Sequence, residues 1–301
     1  MSRTSIVAVV GPTAAGKSDL AVEIALAASG EVVNTDSMQL YRGMDIGTAK
    51  LTPVERRGVP HHLLDILDVT EPATVAEFQQ LARSVIADCL ARGVTPILVG
   101  GSALYVRAVV DRFDFPGTDP RIRAELESEL AAIGPAALHD RLNGVDPAAA
   151  ASILPTNGRR IVRALEVIEL TGRPYTASLP AMEYAYDDVV QIGIDVPRDE
   201  LDARIAARVD EMWSGGFVDE VRRLEAAGLR AGRTASRALG YAQVLRYLAG
   251  EWTEEHAKAE TTRATRRFAR RQDSWFRKDD RIQWLPYDDP ELVPRAVALV
   301  R

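Results

Sequence analysis

One cysteine, Cys89, in 301 residues rules out an internal disulfide, and with only four histidines it argues against a structural zinc site. Such sparse cysteine usage points to a reducing, cytosolic setting. Long hydrophobic runs are missing too. None approaches the ~20 residues needed to cross a bilayer, so no membrane partner is expected. The apolar stretch near the N-terminus runs straight into a glycine-rich loop, which suits a buried first strand better than a signal peptide. Nor is there a surplus of cations: the net charge of −6 excludes a uniformly basic nucleic-acid binder. Repeats and low-complexity tracts are absent. What remains is an ordinary globular composition, 47% hydrophobic and 27% charged. The length suits one large domain or two of about 150 residues each.

The apolar pattern alternates between strand and helix. Residues 6–10, 31–36 and 95–101 read as strands, with helices predicted over 17–29 and 77–92. Near-continuous apolar strands alternating with helices imply a parallel sheet covered on both faces. The pattern breaks at "FDFPGTDP" (113–120), after which 121–171 is helical. A loose stretch, "GRPYTASLPAMEYAYDD", then precedes a strand at 189–196; helices follow, and a last strand is expected at 281–285. The expected fold class is α/β, a P-loop-type parallel sheet flanked by helices. Its catalytic core spans 1–115 and 187–301, with an all-helical insertion at 116–186.

Gly11, Pro12, Thr13, Ala14, Ala15, Gly16, Lys17 and Ser18 fit G-x-x-x-x-G-K-[ST] between a strand and a helix, the context this motif requires. Glycines let backbone N–H groups converge on an anion at the positive end of the helix. Lys17 adds a point charge, and the Ser18 hydroxyl is a Mg²⁺ ligand candidate. A nucleotide such as ATP is one occupant. However, the strand "TPILV" ends in Gly100-Gly101-Ser102, where a P-loop NTPase commonly carries a Mg²⁺-binding Asp, so another diphosphate ligand stays open.

Asp36 follows the second strand, and in open α/β sheets ligands gather beyond the carboxyl ends of strands. A carboxylate there can bind metal, cap a helix or act as a base. His61 and His62 are read as structural polar packing, since adjacent strand residues point apart. Tyr41, Tyr105 and the Met and Leu residues of 38–44 suit either substrate contacts or the core.

The blocks "GPTAAGKS", "NTDSMQLYRGMDIGTAK", "GVPHHLLD", "ILVGGSALY", "RRIVRALEV" and "RRFARRQDSWFR" occur in this order along essentially the whole chain. In this the sequence resembles the bacterial tRNA dimethylallyltransferases, also called tRNA isopentenyltransferases. The resemblance implies transfer of the prenyl group of dimethylallyl diphosphate to N6 of the adenine adjacent (3′) to the tRNA anticodon. It implies Asp36 as general base, residues 13–18 as the diphosphate grip, and Arg208, in "RIAARVDEM", beside the diphosphate. It also implies tRNA contacts at Asp36, Ser37, Met38, Gln39, Ser102, Arg159, Arg160, Ile161, Val162, Arg163, Arg237, Gly240 and Tyr241, with Arg123 a further candidate. Ser102 stands where the family commonly has Thr, and Ala242 where it often has a basic residue.

The span 258–281 carries Lys258, Arg263, Arg266, Arg267, Arg270, Arg271, Arg277, Lys278 and Arg281 against four acidic residues, a candidate phosphate track. Helical spacing groups Arg263, Arg266, Arg267 and Arg270 on one face and Ala264, Phe268 and Trp275 on an apolar one. The expected cofactor is Mg²⁺, the expected partners are tRNA and dimethylallyl diphosphate, and the enzyme is expected to be cytoplasmic and monomeric. Two rivals are a prenyltransferase acting on AMP or ADP and a P-loop small-molecule kinase. The helical insertion and the arginine stripe argue against the first. The long Asp36 block and the missing Asp after "TPILV" argue against the second.

Overall fold

A computed structural model describes residues 5–113, 115–175 and 181–300; the first four residues and the 176–180 part of the loose stretch read above fall outside them. Compact packing divides the chain into two units, one holding everything up to Asp111 and from Tyr184 onward, the other Arg112–Glu183. The second unit thus begins and ends a few residues ahead of the 116–186 segment. No helix among the described residues is long and apolar enough to cross a membrane.

The first unit is built on six strands: β1 (Ile6–Val10), β2 (Gly30–Asn34), β3 (His61–His62), β4 (Thr95–Val99), β5 (Val189–Asp195) and β6 (Ile282–Pro286). Their order is β3-β2-β4-β1-β5-β6, and every pair runs parallel. All five residues of β1 are buried because both faces of the sheet are covered. Val7 and Val9 pack with α1 (Lys17–Ala28), while Ile6, Ala8 and Val10 pack with α2 (Val75–Ala91) and α3 (Ala103–Val110). Sequence dictates these boundaries locally. Thr74 accepts the Glu77 N–H and bonds its carboxylate, so α2 starts two residues before the predicted 77.

The second unit contains α4 (Pro120–Val145), kinked at Gly134-Pro135, then α5 (Pro147–Ser152) and α6 (Gly158–Thr171). Asp119, Asp146 and Asn157 cap the three starts. The amphipathic faces close on Leu126, Leu138, Leu142, Ile161, Val162 and Leu165.

The C-terminal half adds α7 (Arg198–Ser214), α8 (Phe217–Ala226), α9 (Tyr241–Leu248), α10 (Glu254–Phe276) and α11 (Leu292–Ala298) to the first unit. Two of these pack onto the phosphate loop: Ala14 lies among Leu201 and Ile205 of α7 and Ala269 of α10. The helix α11 follows the last strand, where no element was expected.

Candidate diphosphate and acceptor site

Strand register brings the chemistry together. Val99 of β4 lies opposite both Val9 of β1 and Asn34 of β2, so the three strands end level. Beyond them sit the phosphate loop, the turn at Gly100-Gly101 and Asp36. The loop bends through positive φ at Gly11 (135°), Ala14 (65°) and Gly16 (93°). Such alternation turns successive N–H groups toward one point. At Ala14 a left-handed conformation costs about 1–2 kcal/mol. Lys17, the first residue of α1, donates its Nζ to the Pro12 carbonyl at 2.7 Å, and Ser18 lies half-buried beside it.

Asp36 is held in a turn, not at a helix start. The Met38 N–H donates to its Oδ1 at 2.9 Å, and the Gln39 N–H also reaches the carboxylate. Buried Asn34 fixes this turn from below: its Oδ1 accepts the Asp36 N–H at 2.9 Å, while Nδ2 donates to the carbonyls of Asp36 and Leu63, both at 3.0 Å. Burial raises the Asp36 pKa above its usual 3.8 despite the pull of those amides and of Lys17. The same burial lowers Lys17 to about 8, with Asp36 pulling it up and Arg208 pushing it down. Asp36, Lys17 and Arg208 thus share one electrostatic environment. Arg208 is half-buried on α7, and burial lowers its own pKa.

The glycines after β4 explain why no acid stands there. A Cβ on Gly100 would lie 2.3 Å from Thr35 Oγ1 and 2.6 Å from the Thr35 carbonyl carbon; one on Gly101 would lie 2.2 Å from Gln272 Nε2. The site's neighbours occupy that space. Asn34, Thr35 and Gln272 escaped the sequence reading; Asn34, two residues before Asp36, carried the one local signal, an Asx-turn spacing.

The segment after Asp36 is anchored from a distance. Glu220 of α8 accepts the N–H groups of Asp45 (3.1 Å), Ile46 (2.7 Å) and Gly47 (3.2 Å), and the Tyr241 hydroxyl at 2.6 Å. Lys50, buried, reaches Asp45, Asp65 and the Tyr41 carbonyl. Ser37, Met38 and Gln39 remain half-buried at the rim, and Gln39 donates to the Thr48 carbonyl at 3.1 Å. Tyr41, Tyr105 and Met44 belong to the core.

Several residues expected at the RNA have interior side chains or internal partners. Ile161 and Val162 face the core of the helical unit, and Tyr241 is fully buried against Glu220, so none offers its side chain to RNA. Gly240 is buried at φ 83°, with Phe217 filling the place of a Cβ. Arg123 and Arg163 both bond Glu166, whose carboxylate is fully buried, and Arg163 also donates to Pro116 (2.6 Å) and Gly117 (3.0 Å). These two arginines neutralise an internal acid. Arg159, Arg160 and Arg237 are exposed, and Ser102 is half-buried at the start of α3.

The basic helix α10 is partly self-neutralised. Lys258 pairs with Asp210, Arg263 with Glu260, and Arg277 with Asp195 and Asp273, while Arg266 donates to the Asp202 carbonyl. Arg281, beyond the helix, binds Asp111 and Asp279. Arg263, Arg267, Arg270 and Arg271 remain exposed. Of the expected apolar face, Ala264 is buried and Phe268 half-buried, while Trp275 is 39% exposed. The buried residues are Ala257, Thr261, Ala264, Ala269, Gln272 and Phe276, and of these Ala269 and Gln272 meet the phosphate loop.

Elsewhere, His62 Nε2 bonds Glu31 at 2.7 Å and His61 Nδ1 bonds the Val59 carbonyl at 2.8 Å. Glu31, His62 and Cys89 stand within 4.8 Å of one another. Arg92 grips both Glu31 oxygens at 2.7 and 2.8 Å, and burial pushes the Cys89 thiol up to about 11. This is a satisfied ionic network.

A parallel sheet with a phosphate loop after β1 and a half-buried carboxylate just past the end of β2 marks an α/β protein built to hold phosphate. Residues 39–279 match the family model described as IPP transferase, and the chain belongs to that family. It is 67% identical to a tRNA dimethylallyltransferase of Thermobifida fusca, over 99% of this chain and 94% of the relative. It is 70% identical to one of Streptomyces avermitilis, covering 93% and 89%. Among solved structures, the full-length tRNA isopentenylpyrophosphate transferase of Bacillus halodurans is 43% identical with a TM-score of 0.71, covering 99% and 94% of the two chains. A eukaryotic dimethylallyltransferase studied acting on tRNA is 26% identical with a TM-score of 0.83, covering 97% of this chain and 77% of that one.

Proposed function

We propose that this chain transfers the dimethylallyl group of dimethylallyl diphosphate to N6 of the adenine 3′ to a tRNA anticodon, releasing pyrophosphate. What supports this reading is Asp36, near enough to Lys17 for their charges to act on each other beyond the same strand ends as the phosphate loop, in a chain matched over 99% of its length by a tRNA dimethylallyltransferase.

The chemistry follows from the groups present. An adenine N6 amine is a poor nucleophile because its lone pair is delocalised into the ring. As N6 bonds to the prenyl C1, the C1–O bond breaks and the electron pair leaves with pyrophosphate. Asp36 accepts the N6 proton; its raised pKa makes it a stronger base than an exposed carboxylate. Lys17, Arg208 and the loop amides face the charge that grows on the leaving group. The hydroxyl of Ser18, with diphosphate oxygens and waters, is an all-oxygen donor set suited to Mg²⁺, which when bound supplies further charge neutralisation. The target adenine must be swung out of its loop, at a cost of a few kcal/mol.

Exposed Arg159, Arg160, Arg237, Arg263, Arg267, Arg270 and Arg271 supply phosphate contacts for the RNA. Ser37, Met38, Gln39 and Ser102 lie at the rim where the adenine would meet Asp36. The enzyme acts in the cytoplasm as a monomer.

Labelled dimethylallyl diphosphate offered with an anticodon stem-loop, with AMP, or alone tests the reading, with ATP turnover measured separately. Label in the stem-loop only is the expected result. Label in AMP, or ATP turnover without prenyl transfer, would overturn it.

A further inference from the structure

Gln272 lies on α10, buried at 7% exposure, and uses both ends of its amide. Its Oε1 accepts the Thr13 N–H of the phosphate loop at 2.9 Å, and its Nε2 donates to the Gly101 carbonyl at 2.8 Å. A primary amide fits one donor and one acceptor at the same time; a carboxylate or an apolar chain of similar length does not. The contact is tight, since a Cβ on Gly101 would sit 2.2 Å from Nε2 and 3.5 Å from the Gly11 carbonyl. One helical turn away on the same helix, Ala269 packs on Ala14. The loop is therefore pinned to α10 at two successive residues, Thr13 and Ala14. The outer side of that helix carries the exposed Arg263, Arg267, Arg270 and Arg271.

We propose that Gln272 is a positioning residue for the diphosphate. By holding Thr13 to the β4 turn, it sets the loop curvature that aims the following amides and Lys17 at the phosphates. It also ties that curvature to the helix whose other face carries the RNA-facing arginines. This inference rests on the prenyl-transfer reading for the identity of the substrate, but not for the positioning itself.

The test uses the full chain with Gln272→Met, which removes both bonds and keeps the length. It also uses Gly101→Ala, whose methyl displaces the Gln272 amide from the opposite side. Inorganic pyrophosphate affinity by calorimetry and KM values for dimethylallyl diphosphate and for the stem-loop are measured alongside thermal melting. Each variant is expected to weaken pyrophosphate binding and raise the diphosphate KM about tenfold. The stem-loop KM should stay within about twofold. The double variant should resemble either single one instead of compounding to a hundredfold, because both remove the same contact.

If Gln272→Met does not fold, Gly101→Ala carries the same comparison. Unchanged pyrophosphate affinity and diphosphate KM in the folded variants, with only a lowered melting temperature, would overturn the positioning role and leave a brace. Prenyl transfer absent from the wild type, with pyrophosphate binding still weakened in the variants, would overturn the substrate reading and leave the positioning role standing.

Discussion

Lys17→Met should make the protein more stable while disabling it. Burial lowers the lysine from 10.5 to about 8. At 1.36 kcal/mol per pH unit this corresponds to about 3 kcal/mol of folding free energy spent on keeping the ammonium charged. The variant loses the bond from Nζ to the Pro12 carbonyl, worth about 1 kcal/mol, leaving a net gain of about 2 kcal/mol at neutral pH. All four tryptophans (Trp213, Trp252, Trp275 and Trp284) lie in the first unit, so their fluorescence in a urea titration follows the unit that holds the loop. The pH dependence fixes the cause. The folded-state pKa lies below the unfolded one, so between about 8 and 10.5 the unfolded chain binds the extra proton and wild-type stability rises with pH. The advantage of the variant should be constant from about pH 6 to 7.5 and shrink above about pH 8. In the same variant the KM for dimethylallyl diphosphate should rise about 10- to 100-fold, the value of a charge-assisted bond to phosphate. Equal or lower stability at pH 7, or an advantage that does not shrink as pH rises past 8, would refute the account of a desolvated lysine.

Asp36→Asn keeps an oxygen for the Met38 N–H but cannot take a proton, so turnover should fall about 10²- to 10⁴-fold while stem-loop affinity, read by gel shift, changes less than about threefold. In the wild type, turnover should fall as pH drops through the raised Asp36 pKa, and the residual activity of the asparagine variant should lack that acid limb. Gly100→Ala drives a methyl to 2.3 Å from Thr35 Oγ1, so the first unit should lose about 1–3 kcal/mol in the urea titration, with turnover reduced as the Asp36 turn shifts. Arg267→Ala should flatten the plot of log stem-loop affinity against log salt by about one unit of slope, and leave the KM for dimethylallyl diphosphate unchanged.

Local chemistry made much of this molecule readable from its sequence. The strand–loop–helix of the phosphate site, the apolar strands and the helical segment after Pro120 depend on spacing between near neighbours, and each formed within a few residues of its expected limits. Contacts between distant residues could not be read in this way. The amide of Gln272 meets a loop 259 residues earlier in the chain, and Glu220 collects three amides from the Asp45–Gly47 turn. The cation pattern around 258–281 was visible, but its partners were not: Asp210, Asp195, Asp111 and Asp202 come from other elements and quench much of the stripe. Burial was likewise not legible at Ile161, Val162 and Tyr241, whose side chains pack in the interior.

The position of the acid separates this site from that of a P-loop NTPase. There the Asp at the end of the second apolar strand holds a Mg²⁺ ion against the phosphates. Here β4, the strand next to β1, ends in two glycines whose missing side chains make room for Thr35 and Gln272. The carboxylate of half-buried Asp36 instead follows β2, on the far side of β4 from the phosphate loop. That shift of one strand keeps Asp36 close enough to Lys17 to feel its charge, yet lets amides from its own turn, and not a phosphate loop, set its position. A carboxylate with a raised pKa, set one strand away from the leaving group, is suited to taking a proton from an incoming nucleophile. In the proposed reaction the glycines at 100 and 101 therefore matter: they let the strand between the phosphate loop and Asp36 end without a side chain of its own.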